Sequence, residues 1–135
     1  MPSLTKGYWW VLVYGVYKKS HMDTISTEKG AKINQPLRET IVGFCGLKAS
    51  SWHQKTGYLS RVGIHPLHQG RQLQRKLIRA RERLCRRLLW SWVVTDTAPD
   101  NYASSNSLIS LGYKLYEPWY KWAANKSSLY WHKKL

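Results

Sequence analysis

Apolar and polar residues change their period several times along this chain, and each change predicts an element. Tyr8–Val16, YWWVLVYGV, is short and dense in aromatic and β-branched residues, which predicts a buried strand rather than a helix. Lys18–Arg38 turns polar and holds Gly30 and Pro36, so it reads as a long loop. Strand character returns in Glu39–Ala49 and, after the polar Ser50–Gln54, in Lys55–Ile64; with the first run these predict an antiparallel meander. From Arg71 the period lengthens, and Leu73, Leu77, Ala80, Leu84 and Leu88 fall on one face of a helix over Gln72–Arg87. A strand is expected over Trp90–Thr95 and a short helix over Ala103–Leu111, stopped by Gly112. Two last strands are expected near Tyr113–Tyr116 and Ser128–Lys133. The order β-β-β-α-β-α-β-β is α/β without an internal repeat, in one domain over residues 1–135.

Charge narrows the partners. Lysine and arginine number 22 against 7 acids, a formal net charge of +15. Such a field draws polyanions: nucleic acid, anionic membrane or a cofactor's phosphates. The Gln72–Arg87 helix sets basic residues 75, 76, 79, 81, 83, 86 and 87 against one acid, Glu82. A solvated face and a surface for nucleic acid or an acidic protein both account for this. Cys45 and Cys85 are the two cysteines and read as reduced, structural thiols of a cytoplasmic protein. The apolar run from Tyr8 to Tyr17 is too short to span a bilayer and has no small-residue cleavage site, so no membrane partner is expected. His65 and His68 have no cysteine or acid beside them, and no metal is expected.

The stretch Ile64–Ile78, IHPLHQGRQLQRKLI, passes from a strand through Pro66 and Gly70 into the basic helix. Unbonded amides at such a turn and helix start converge on anions. Neither a GK[ST] ending nor G-x-G-x-x-G is present. The stretch does resemble the strand-turn-helix signature of the GNAT superfamily of acyl-CoA-dependent N-acyltransferases, with Gln69 at its Arg/Gln position. Asn101, a short helix and Gly112-Tyr113 are similar to that family's later motif, at a spacing that fits one helix and one strand. The resemblance covers Glu39–Leu135.

The resemblance implies a mixed, mostly antiparallel central sheet with a splayed strand pair and flanking helices. Here it is shortened at the N-terminus, because Lys18–Arg38 stands where the family places one or two helices. It implies an N-acetyltransferase with acetyl-CoA as cosubstrate, whose amine acceptor attacks the thioester directly in a ternary complex. Val62, Gly63 and Ile64 would pair with the pantetheine arm; Gln69, Gly70, Arg71, Gln72, Leu73, Gln74 and Arg75 would hold the pyrophosphate through main-chain amides. Asn101 and Ser104 would join the cofactor contacts.

Three positions depart from the family pattern. Gln72 and Gln74 stand where small residues are expected, and Leu108 where a catalytic tyrosine is frequent. Tyr113, Ser105, Ser104, Tyr102 or solvent would then protonate the leaving thiolate. Asp96 is the candidate base, with His65 behind it, although a turn or cap role also suits Asp96. Trp119, Tyr120 and Trp122, with Lys121 and Lys126, read either as core or as a stacking lip for the acceptor. The open acceptor side suits a macromolecular amine or completion by a second subunit as a homodimer. The alternative reading keeps the fold, weakens the catalysis and uses the charge to bind nucleic acid or an acidic protein.

Overall fold

The computed structural model describes residues 7–16, 21–26, 38–70 and 72–135. The described residues form two compact units, one drawn from Met1–Lys48 and Ser60–Leu73, the other from Ala49–Leu59 and Gln74–Leu135. The architecture is mixed α/β and mostly antiparallel, as the resemblance implies.

In the first unit, strand β1 (Tyr8–Val16) lies between β2 (His21–Ser26) and β3 (Arg38–Ala49), antiparallel to both. Strand β2 corrects the expectation of a loop over Lys18–Arg38. HMDTIS has no apolar alternation, but an edge strand takes its form from the neighbour's ladder, here Trp10↔Ser26 through Gly15↔His21. Gly30 and Pro36, with the rest of 17–20 and 27–37, lie outside the described residues. Strand β4 (Thr56–Ile64) ends in this unit, where His65 N–H donates to the Val42 carbonyl at 2.7 Å.

In the second unit the strand order is β4, β5 (Trp92–Thr97), β7 (Leu129–Lys134) and β6 (Lys114–Leu115). β4 and β5 run parallel, but their register covers only Thr56↔Trp92 to Tyr58↔Val94. The next bond comes from a side chain, Thr95 Oγ1 to the Leu59 carbonyl at 3.0 Å. β5 pairs antiparallel with β7 along its whole length, from Trp92↔Lys134 to Thr97↔Leu129. Strand alternation then sorts the side chains. Trp92, Val94, Asp96, Tyr130 and His132 share one face; Val93, Thr95, Thr97, Trp131 and Lys133 share the other.

On the second face Lys133 meets Glu82 of helix α1 (Leu73–Arg87) at 3.0 Å; helix α2 spans Tyr102–Ser110. Leu73, Leu77 and Ala80 are buried as their spacing predicts. Arg81, expected on the basic surface, is 2% exposed, and its Nε donates to the Leu77 carbonyl at 3.2 Å. Glu82 is also buried. Its Oε2 accepts from the Tyr113 hydroxyl at 2.8 Å and from Lys133 Nζ at 3.0 Å. A carboxylate can be buried there because a donor and a cation both meet it.

The helix α1 ends at Arg87, as its periodicity predicts, and a cap follows it. Leu89 N–H bonds the Arg86 carbonyl and Trp90 N–H the Cys85 carbonyl, with Leu89 at φ 60°, a Schellman cap. Because the cap consumes Leu88–Trp90, β5 begins at Trp92 rather than Trp90 and runs on to Thr97. Leu89 is 80% exposed, so it occupies a glycine-favouring backbone position without packing in return. Leu89→Gly is expected to raise unfolding stability by about 0.5–1 kcal/mol in urea denaturation. A loss of stability would show that the Leu89 side chain carries a contact that the cap geometry does not reveal.

Candidate active site

At the helix entry, Pro66–His68 form one turn of 3-10 helix, and His65 Nδ1 accepts from Leu67 N–H at 3.2 Å. Gln69 N–H bonds the Pro66 carbonyl, and Gln69 Nε2 reaches back to the Ile64 carbonyl at 3.4 Å. Gly70 then takes φ 81° and Gln72 φ 58°, and α1 begins at Leu73. Arg71 lies outside the described residues.

These angles answer what the two glutamines do. Gln72 occupies a left-handed conformation, the conformation for which a glycine would be placed there. Its side chain is exposed rather than packed into the protein. Gln74 is helical, and its Nε2 donates to Ser104 Oγ at 2.9 Å, so its amide is drawn to α2. The first amides of α1 have no helical partner, as in any helix, and amides of this kind are able to meet an anion. Leu73 is buried and Arg75 half-buried beside them. Val62, Gly63 and Ile64 lie in β4 beyond Tyr58, its last residue registered with β5. Arg61, just before them, has φ 30°, a local kink in the strand.

Asn101 is the N-cap of α2. Its Oδ1 accepts from Ser104 N–H at 3.1 Å, which turns its amide nitrogen into the remaining donor. Ser104 is buried and already accepts from Gln74, whereas the buried Ser105 Oγ has no partner among the described residues. Leu108 is 2% exposed, a core residue of α2.

Asp96 sits within β5, opposite Tyr130, not in a turn or cap. Its Oδ1 accepts from the Tyr58 hydroxyl at 2.8 Å and from Trp122 Nε1 at 2.9 Å. Trp52 stacks on Trp122 at 5.1 Å between centroids and meets Tyr58 edge-on at 6.2 Å. Burial raises the Tyr58 pKa, and the Asp96 charge raises it further, so Tyr58 remains a donor over the whole working pH range. The outcome is a carboxylate gripped on one oxygen and walled by rings.

Tyr58 and Trp52 were not among the residues singled out from sequence. Only the parallel register, which sets Tyr58 against Val94 on the Asp96 face, reveals Tyr58. Of the aromatic loop, Trp122 is half-buried against Asp96, while Trp119 and Tyr120 are exposed at 76% and 46%. Tyr113 is buried with its hydroxyl donating to Glu82; burial first and the Glu82 charge second raise its pKa. Among the described residues, no three histidine, cysteine or acidic side chains come together as a metal set, and no helix is long and apolar enough to cross a membrane.

Comparison with known proteins places these features. The model of the acetyltransferase (GNAT) family matches residues 17–113. A candidate acyl-CoA N-acyltransferase of Klebsiella pneumoniae is similar at TM-score 0.63 and 24% identity, over 72% of this chain and 70% of that one. An acetyltransferase of Streptococcus agalactiae follows at 0.61 and 21%, over 83% and 65%. The PaiA N-acetyltransferase of Thermoplasma acidophilum, solved in complex with coenzyme A, gives 0.60 and 17%, over 71% and 55%. No curated protein sequence matches the chain.

The left-handed glutamine predicts a measurable strain. Gln72→Gly is expected to raise stability by about 0.5–1 kcal/mol in urea denaturation while leaving the helical circular dichroism unchanged. Lower stability would mean that the Gln72 side chain, not its backbone, is what the turn requires.

Proposed function

Because the chain belongs to the acetyltransferase (GNAT) family, we propose that it transfers an acetyl group from acetyl-CoA to an amine by direct attack in a ternary complex. The observation that carries this reading is the turn: Gly70 and Gln72 both left-handed, and Gln74 turned onto Ser104. Neither glutamine is built into the turn as an obstruction, so its amides serve the CoA pyrophosphate. Gln69 to Arg75 supply that cradle, and Val62, Gly63 and Ile64 offer backbone to the pantetheine arm. Asn101 keeps one amide donor for the cofactor. The coenzyme A complex of the Thermoplasma relative supports acetyl-CoA as the cosubstrate.

Asp96 is the base. With Oδ1 held by Tyr58 and Trp122, Oδ2 takes the proton that the acceptor ammonium must lose. The neutral amine attacks the thioester carbonyl; the C–N bond forms, the nitrogen's second proton passes to solvent, the C–S bond breaks, and CoA leaves as thiolate. Thiols ionise at a pKa of roughly 8.5, so this leaving group needs only solvent to protonate it. Leu108 in place of a tyrosine is therefore compatible with turnover. Tyr113, whose hydroxyl serves Glu82, acts as a structural residue in this scheme. Holding both substrates in line supplies much of the acceleration.

The test is CoA thiol release from acetyl-CoA with a panel of primary amines, from polyamines to peptide N-termini. Asp96→Asn is expected to lower kcat by about 100-fold with CoA affinity nearly unchanged. Tyr58→Phe should lower kcat less, since Trp122 still holds Oδ1. A kcat unchanged in Asp96→Asn would remove Asp96 as the base, and no thiol release with any amine would overturn the transferase reading.

A further inference from the structure

On the Asp96 face of the sheet, toward the Trp92 end of β5, the second unit holds two adjoining cavities. One, of about 480 Å³, is lined by Trp52, Trp92, Tyr116 and His132, with His53 and Gln54 at its polar edge. The other, of about 470 Å³, is lined by Ser50, Ser51, Lys55 and Trp90, and shares Trp52, His53, Gln54 and Thr56 with the first. Each lies in the roughly 300–1,000 Å³ range of small-molecule sites.

The aromatic cavity has an ordered wall. His132 stacks on Tyr116 at 4.1 Å and 3°, and on Trp92 at 5.1 Å and 27°. Trp52, stacked on Trp122, also lines this cavity. The segment carrying Trp52 is pre-set: Ser50 Oγ accepts from the Trp52 and His53 amides, and Ser50 N–H bonds the Thr56 carbonyl. Tyr116 hydroxyl and His53 Nε2 lie 3.3 Å apart. Such walls take a flat ring, and the imidazole and the Gln54 amide read its polar edge.

Three lysines border these cavities, and the acid on the same face, Asp96, is held by Tyr58 and Trp122. The registers Lys114↔His132 and Trp92↔Lys134 place both lysines on the face of the aromatic wall, and Lys55 lines the polar cavity. No carboxylate lines either cavity. Burial and the neighbouring Lys114 charge lower the His132 pKa, which keeps that imidazole neutral and stacked at pH 7. A ring with a cationic group is disfavoured here; a ring carrying an anion is favoured.

We propose that these two cavities are a nucleotide site, with the base in the aromatic cavity and the phosphate toward Ser51 and Lys55. The ligand is either a free mononucleotide or the end of a single-stranded nucleic acid, since both present the same ring and phosphate. The site is distinct from the CoA turn and does not depend on the transferase reading.

Titration of the full chain with 5′-UMP, 5′-AMP and a six-nucleotide single-stranded RNA, followed by tryptophan fluorescence and calorimetry, tests this. Coenzyme A is kept saturating in a parallel series, because it carries a nucleotide of its own. Saturable binding with Kd below about 1 mM that survives coenzyme A is expected. His132→Ala should weaken it about tenfold or more, because the imidazole between Tyr116 and Trp92 holds both rings of the wall in place. Lys55→Gln, a surface change that leaves the fold intact by circular dichroism, should weaken it about threefold and flatten its salt dependence. Tighter binding of the RNA identifies a strand end as the source, and equal binding a free nucleotide. No saturation by about 10 mM, displacement by coenzyme A, or indifference to both substitutions would overturn the proposal.

Discussion

Before α1 can begin, the chain must pass two left-handed residues, Gly70 and Gln72. That constraint governs the rest of the candidate site. The first amides of α1, which follow these two residues directly, have no helical partner and are able to meet an anion. A glutamine in this conformation costs about 1–2 kcal/mol relative to ordinary backbone. The neighbouring departure is resolved differently: Gln74 stays helical and spends its amide on Ser104, joining the start of α1 to the start of α2. Asn101 caps the same turn of α2, so Gln74 and Asn101 meet at Ser104 within the second unit, one by a side-chain bond and one by a cap.

The β5–β7 ladder divides the labour of the second unit. One face carries Thr97, Trp131 and Lys133: Lys133 pairs with Glu82 of α1, which also accepts from the Tyr113 hydroxyl, and Trp131 Nε1 donates to Thr97 Oγ1 at 3.0 Å. The other carries Asp96 and a run of rings. Because α1 turns its one acid inward, its exposed residues Lys76, Arg79, Arg83, Arg86 and Arg87 are left without a carboxylate on the same helix. The tryptophans and tyrosines of the aromatic loop are likewise divided: Trp122 is committed to Asp96, whereas Trp119 stands in solvent.

Much of the fold was legible in the sequence because period and punctuation agree there. The leucine spacing of α1, the Gly112 stop of α2 and the β-branched run of β3 each fall where expected. β2 was not legible, since its form comes from pairing with β1 rather than from its own residues. The start of β5 was misplaced by two residues because a Schellman cap built on leucine instead of glycine leaves no sequence sign. In the candidate site, the turn, Asn101 and Asp96 could be named from motif and position. Tyr58 could not, because its place beside Asp96 depends on the parallel register of β4 and β5. The role of Trp122 depends on the path of a loop, for which periodicity carries no information.

The central claim is that the turn from Gln69 to Arg75 holds the pyrophosphate of coenzyme A. Amide chemical shifts of the isotopically labelled protein, followed through a titration with coenzyme A, test it residue by residue. The largest changes are expected at the amides of Gly70, Gln72, Leu73 and Gln74, with a second group at Val62–Ile64. Saturating shifts confined to other segments, or no shifts at millimolar coenzyme A, would contradict it.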